Sequence, residues 1–292
     1  MGIPKGGIAF FDSGIGGLTV LDACRKFFPN EIFYYYGDNR HAPYGNLSIK
    51  KISRYVHRAF KRFQRLHVWA AVVACNTVTA VCIEELRKKF SFPIIGAEPA
   101  VLSAAKNGGE IFVLVTRATY ESVRFKKLCE YSSQLFSNST IRSFACDNLA
   151  GEIEKHIVEQ DADFTPCLPK GNPKSVVLGC THYVYITKQI ADFYDCEVFN
   201  GNRGIAKRLY NILIGNELTQ PSIDTSQPLD GENRFLKPQK TTFAPSKKKK
   251  RKVKNGRRFR KKKLSTSGEK RLFFMGSGGK YNKKIYEQMF VL

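Results

Sequence analysis

The chain has 292 residues, 42% of them hydrophobic, and a net charge of +23. That length accommodates two domains with substantial cores. The longest mostly apolar stretch, 68–83, is interrupted by Asn76, Thr77 and Thr79, which argues against a membrane span. The eight scattered cysteines contain no CxxC pair, which argues against a zinc site or a secreted disulfide scaffold and points to a reducing, cytoplasmic setting.

In chain order, 8–11 reads as a strand that ends at once in Asp12, so this apolar run is no secretory signal. The Gly-rich turn Asp12-Ser13-Gly14-Ile15-Gly16-Gly17 follows and leads into a helix over 18–27. Free backbone N–H groups at such a turn favour an anion. A dinucleotide fingerprint with Asp38 as its ribose acid fails on register, because the third glycine would fall at Thr19. A carboxylate ligand suits the turn better.

Strands are predicted over 32–36, 71–74 and 93–96, with helices over 49–66 and 80–90 between them. A second set follows, with strands over 111–115, 141–145, 176–178 and 197–199 and helices over 120–136, 151–159 and 184–193, then a helix over 204–214. Residues 216–270 carry few apolar side chains and read as a disordered inserted loop. Residues 271–292 restore the pattern with a short strand, a Gly-rich turn and a closing amphipathic helix.

The two sets echo each other. The run 8–14 is answered by 111–117 at an offset of 103, Cys75 by Cys180 at 105, and 93–99 by 197–203 at about 103 to 104. A weaker pair joins 32–39 to 140–148. The echo predicts an α/β fold of two pseudo-symmetric, doubly wound domains with mostly parallel sheets and the active site in the cleft between them. The competing reading is that strands recur at such spacing in any α/β chain. The boundaries expected are 1–98 with 205–215 and 271–292 for the first domain, and 99–204 for the second.

Cys75 and Cys180 each close an apolar, β-branched run at the carboxyl end of a strand, where ligands bind in open α/β sheets. Polar groups follow each, Asn76-Thr77 and Thr181-His182. Cys24, Cys82, Cys129 and Cys196 read instead as small core residues. A nucleophilic Cys180–His182 pair is a further reading, but adjacent strand residues point apart and it leaves Cys75 unexplained.

Taken together, DSGIGG at 12–17, PYG at 43–45, ACNT at 74–77, EPA at 98–100, the Thr116, Thr119, Ser122 pattern and GCTHY at 179–183 resemble the glutamate racemases of bacterial wall synthesis, in the aspartate/glutamate racemase family. The match runs over about 6–215, and RLFFMGSGGK at 271–280 is similar to that family's closing strand and turn. The resemblance implies racemisation without a cofactor or metal. One thiolate removes the α-proton and the opposite thiol returns one. By analogy Cys75 takes the proton from D-glutamate and Cys180 from L-glutamate. Asp12 and His182 are implied as polar assistants, with Glu154 as a further assisting carboxylate or, in the competing reading, a solvated helix glutamate. Ser13, Tyr44, Gly45, Asn76, Thr77, Thr119, Thr181, His182 and Asp12 are implied as substrate-binding, and Asp38 stands at the cleft edge or caps a turn. Three positions depart from the family pattern: Val184-Tyr185 replaces Pro-Leu, Asn200 replaces Asp, and Cys146-Asp147 replaces Cys-Pro.

Much of the basicity is one segment. Lys and Arg fill thirteen of the seventeen positions from 247 to 263, with no acid among them. Its first part, KKKKRKVK, resembles a nuclear localisation signal, although a solvated lysine-rich loop is the blander reading. The sharper one is weak, sequence-blind contact with nucleic acid or another polyanion; Phe259 alone offers no stacking platform. Three functions therefore stand: glutamate racemisation, racemisation of aspartate or another small diacid, and polyanion binding on a racemase scaffold. No membrane partner is expected, and a homodimer is one assembly open to the chain.

Overall fold

The computed structural model describes residues 5–156, 162–214 and 272–276. Its elements run β1 (Ile8–Asp12), α1 (Leu18–Arg25), β2 (Phe33–Gly37), α2 (Ile49–Arg65), β3 (Ala70–Val73), α3 (Asn76–Lys89), β4 (Ile94–Gly96) and α4 (Val101–Ala105). They continue with β5 (Gly109–Val115), α5 (Arg117–Glu121), α6 (Val123–Leu135), β6 (Ser139–Ala145), α7 (Leu149–His156) and β7 (Ser175–Gly179). After a 3-10 turn at Thr181–Ile186 come α8 (Thr187–Tyr194), β8 (Glu197–Phe199), α9 (Asn202–Ile214) and β9 (Leu272–Gly276).

Every strand pair is parallel, and the strands form two sheets. The first has the order β4-β3-β1-β2-β9 and the second β6-β5-β7-β8. Read from its other end, the second sheet repeats the first without β9. Register repeats too: Ala71 faces Ile94 across β3 and β4, as Val176 faces Val198 across β7 and β8. The fold is thus the α/β pair of parallel sheets that the sequence echo predicts.

Strands β1, β2, β3 and β7 are buried along their whole length, as helices on both faces require. In β1, Ile8 and Phe10 enter one cluster with α1 and α9, while Ala9 and Phe11 enter another with α2 and α3. In β5, Phe112 and Leu114 face one side, and Ile111, Val113 and Val115 the other. β9 closes the first sheet beside β2, where Phe273 stacks on Tyr34 and Phe274 meets Tyr35 edge-on.

Local departures from the predicted elements have identifiable causes. The helix expected from residue 80 begins at Asn76, with Cys75 at its N-cap; a polar first turn reads as loop in sequence although its donors need no intrahelical partner. The single helix expected over 120–136 is two, because Ser122 caps a new start: its hydroxyl accepts from the Phe125 N–H at 3.2 Å and donates to the Thr119 carbonyl at 2.7 Å. Residues 184–186, expected at the head of a helix, belong to the 3-10 turn instead. Helix α4, unpredicted, is one short turn. The expected loop 216–270 with its 247–263 run, the Gly-rich turn and the closing helix lie outside the described residues. Among the described residues, no helix is long and apolar enough to cross a membrane.

Candidate active site

Cys75 follows β3 and Cys180 follows β7, which occupy the same place in the two sheet orders. Both thiols are buried, at 4% and 8% exposure. Cys75 donates from Sγ to Ser13 Oγ at 3.6 Å, and Cys180 Sγ lies 3.8 Å from His182 Nδ1. Burial pushes the Cys75 thiol up to about 12, and the Asp12 charge pushes the same way. The Val78 N–H and the Ser13 hydroxyl oppose this, and Cys180 itself adds a final upward push, so the two sulfurs sense one another.

Asp12 ends β1 fully buried. Its carboxylate accepts from the Gly14 N–H at 3.1 Å and from Thr181 Oγ1 at 3.2 Å, so it bonds to both halves of the molecule. Desolvation raises its pKa; His182 and the N–H groups of Gly14 and Gly17 hold it down, and Glu154 adds a small upward push. The Gly-rich turn fits closely against the second half. A Cβ on Gly16 would meet Thr181 Oγ1 and lie 2.7 Å from the His182 nitrogen, and one on Gly14 would lie 2.9 Å from Glu154 Oε1.

His182 is 2% exposed and bonds through Nε2 to Glu154 Oε2. Glu154 Oε1 in turn accepts from Asn39 Nδ2 at 3.3 Å. Cys180, His182, Glu154 and Asn39 therefore form one chain of polar contacts. Burial works against the imidazolium, yet the Glu154 carboxylate and the Cys180 contact outweigh it and hold His182 well above 6.5. A raised histidine pKa stabilises the fold fully below the unfolded value, and the contribution fades as pH climbs through the folded one. Replacing Glu154 with Gln should therefore lower the melting temperature more in mildly acidic than in strongly alkaline buffer, as a pH series of thermal melts would record. An equal loss at every pH would place the effect in packing instead.

A run of hydroxyls links the halves on another side. Thr77 Oγ1 lies 2.9 Å from Thr116 Oγ1, which lies 3.0 Å from Thr119 Oγ1. Thr116 also caps α5 by accepting from the Thr119 N–H. Gly45 packs on this run, where a Cβ would sit 3.0 Å from the Thr116 Cβ. Tyr44, buried after Pro43, donates to Asp38 Oδ2 at 2.5 Å, and His41 Nδ1 lies 2.9 Å from the same oxygen. Asp38 thus anchors the 38–44 segment. Asn76 and Thr119 line a small open pocket with Thr79, Glu98 and Arg124; neither thiol is in its wall.

Three side chains without an assigned role in the sequence reading join this interface. Thr116 was visible only as part of a motif, and Asn39 only as the neighbour of Asp38. Tyr185, one of the departures, donates its hydroxyl to the Ile15 carbonyl at 2.9 Å and packs against clusters of both halves. Asn200, another departure, accepts from the Asn202 N–H at 3.2 Å as α9 begins. The third, Asp147, receives Arg117 through two bonds of 3.1 and 2.6 Å. Among the described residues no group of three or more His, Cys, Asp or Glu side chains is placed to hold a metal ion.

Comparison with known proteins agrees with this arrangement. Residues 21–209 match the model of the Asp/Glu/Hydantoin racemase family. A glutamate racemase from Clostridium acetobutylicum is 36% identical over 234 residues, covering 74% of this chain and 90% of the relative. The Escherichia coli glutamate racemase solved with L-glutamate and the activator UDP-MurNAc-Ala superposes with a TM-score of 0.64 at 28% identity, covering 71% of this chain and 81% of that one. The Campylobacter jejuni glutamate racemase, at 21% identity, shares the fold over 96% of both chains with a TM-score of 0.65. With the family model matched over most of its length and a relative at this identity, the chain belongs to the Asp/Glu/Hydantoin racemase family.

Proposed function

We infer that this chain interconverts L- and D-glutamate, as the curated relatives named glutamate racemase do, and so supplies D-glutamate for peptidoglycan. The observation that carries the mechanism is the pair of thiols at equivalent strand ends of two sheets with one strand order. One sulfur, as thiolate, takes the α-proton; the electron pair left on the α-carbon is delocalised into the α-carboxylate. The other sulfur, as thiol, delivers its proton to the opposite face. The sulfurs exchange protonation states and the amino acid inverts, with no electrons gained or lost. We assign proton removal from D-glutamate to Cys75 and from L-glutamate to Cys180.

Supporting roles follow from the contacts. His182, held by Glu154, faces Cys180 and is the assistant on that side. Asp12, whose charge bears on Cys75, is the assistant on the other side. An α-ammonium group entering beside Asp12 would offset the carboxylate's push on Cys75. Ser13, Tyr44, Gly45, Asn76, Thr77, Thr119 and Thr181 are proposed to hold the carboxylates and amine, since small preorganised donors stabilise developing charge at little reorganisation cost. The domain boundaries, 1–98 with 205–215 and 271–292 against 99–204, are proposed on the same symmetry.

Finer readings are proposed with it: a cytoplasmic site of action, a homodimer, and a salt-sensitive polyanion contact through 247–263. The deciding experiment incubates each glutamate enantiomer with the protein in heavy water and follows the α-proton by NMR. Exchange and inversion of both enantiomers are expected. Faster exchange of aspartate than of glutamate, or none of either, overturns the assignment.

A further inference from the structure

Helix α2 carries a second chemistry that the racemase site does not use. Its seventeen residues, IKKISRYVHRAFKRFQR, contain seven Lys or Arg and no acid. Ile52, Val56, Ala59, Phe60 and Phe63 are buried in the core under the first sheet. At 100° per residue, Lys50, Arg54, Arg58, Lys61 and Arg65 fall within about 80° of arc on the opposite side, with Lys51 and Arg62 along one edge of it. All seven are exposed, and none of their side chains enters an ion pair or hydrogen bond among the described residues.

The acids of the neighbouring helix α3 form no ion pair with these seven cations. On α3, which packs against α2, Glu85 is engaged by Ser53 and His57, and Glu84 by Arg87 and Arg124. Burial lowers the His57 pKa, Glu85 opposes that, and Lys89 and Lys61 push it down further.

We propose that the α2 face is a docking surface for the phosphate backbone of a nucleic-acid duplex, bound without regard to sequence. From Lys50 to Arg65 the stripe is roughly 22 Å long at about 1.5 Å per residue. That spans roughly six phosphates of one strand at about 3.4 Å of axis each. An evenly spaced line of cations matches a linear polyanion. A lipid surface is the weaker fit, because the helix has committed its apolar stripe to the core and keeps no face to insert. The surface belongs to a different stretch of the sequence from the 247–263 segment.

The test measures binding of the full chain to a fluorescent duplex of about two helical turns by anisotropy, between about 50 and about 200 mM salt. One variant combines Lys50→Gln, Arg54→Gln, Arg58→Gln, Lys61→Gln and Arg65→Gln; glutamine keeps helix propensity, so glutamate turnover should be unchanged and reports an intact fold. A second combines Lys247→Gln, Lys248→Gln, Lys249→Gln, Lys250→Gln and Arg251→Gln. The α2 variant is expected to lose up to about 4.5 from the slope of log affinity against log salt, at about 0.9 per phosphate contact. A wild-type slope in that variant, with loss only in the second, overturns the proposal and assigns binding to the other segment. Tighter retention of the wild type on phosphatidylglycerol vesicles than on the duplex, at equal phosphate, also overturns it.

Discussion

Replacing Cys75 with serine should end α-proton exchange from D-glutamate, and replacing Cys180 with serine should end exchange from L-glutamate. Each change should cut racemisation by about 10²- to 10⁴-fold, the range a positioned acid–base group contributes. A serine hydroxyl fits the space but does not ionise near neutrality, so it can neither remove the proton as an anion nor match the thiol as an acid. The sites are not equal, which makes the directional result informative. Cys75, held near 12 by burial and Asp12, rests as a thiol, whereas Cys180 faces the His182–Glu154 pair. The measurement is loss of the α-proton signal in heavy water from each pure enantiomer. If both single variants still exchange both enantiomers, the two-thiol mechanism is wrong. If either stops exchange from the opposite enantiomer only, the thiol assignments must be reversed.

Gly16→Ala should be nearly as damaging without touching a reacting group. Its Cβ would lie 2.7 Å from the His182 nitrogen and closer still to Thr181 Oγ1, so the Gly-rich turn and the 3-10 turn must move apart. Overpacking of this kind costs about 1–3 kcal/mol. A shift of about 1 Å at a catalytic contact can cost about 10²-fold in rate. Gly204→Ala is the matched control. Gly204 lies in α9 with nothing within 4 Å of an added Cβ, and alanine there should stabilise by about 0.5–1 kcal/mol with unchanged turnover. Thermal melts and steady-state rates on both variants decide the matter. Wild-type turnover in Gly16→Ala would show that the two halves do not have to meet at this point.

Much of this architecture was legible because burial on both sheet faces leaves a strong mark on sequence. The central strands β1, β3 and β7 carry continuous apolar runs, and both thiols follow such runs. Repetition then supplied what a single motif could not, since β3 and β7 stand out as equivalents only when the halves are compared. Helix boundaries were less legible where side chains do the work of capping. Ser122 splits one expected helix in two, and the start of α3 at Asn76 is hidden by residues that read as loop. Contacts across the halves were least legible. Asn39 to Glu154 spans 115 positions and Tyr185 to Ile15 spans 170, and no local pattern encodes either pairing. Tyr185 was visible only as a break in a familiar run.

The unequal surroundings of the two thiols carry a thermodynamic consequence. The enantiomers of free glutamate have the same free energy in water, so their equilibrium constant is one whatever the protein does. The Haldane relation then requires kcat/KM to be equal in the two directions. Ser13 beside Cys75, and His182 with Glu154 beside Cys180, cannot favour one direction at low substrate. Their difference can surface only as matched changes in kcat and KM: the enantiomer bound more tightly turns over more slowly when the site is saturated. Two sheets of one strand order, dressed with different neighbours, permit a choice of which enantiomer occupies the resting enzyme while leaving the net balance untouched.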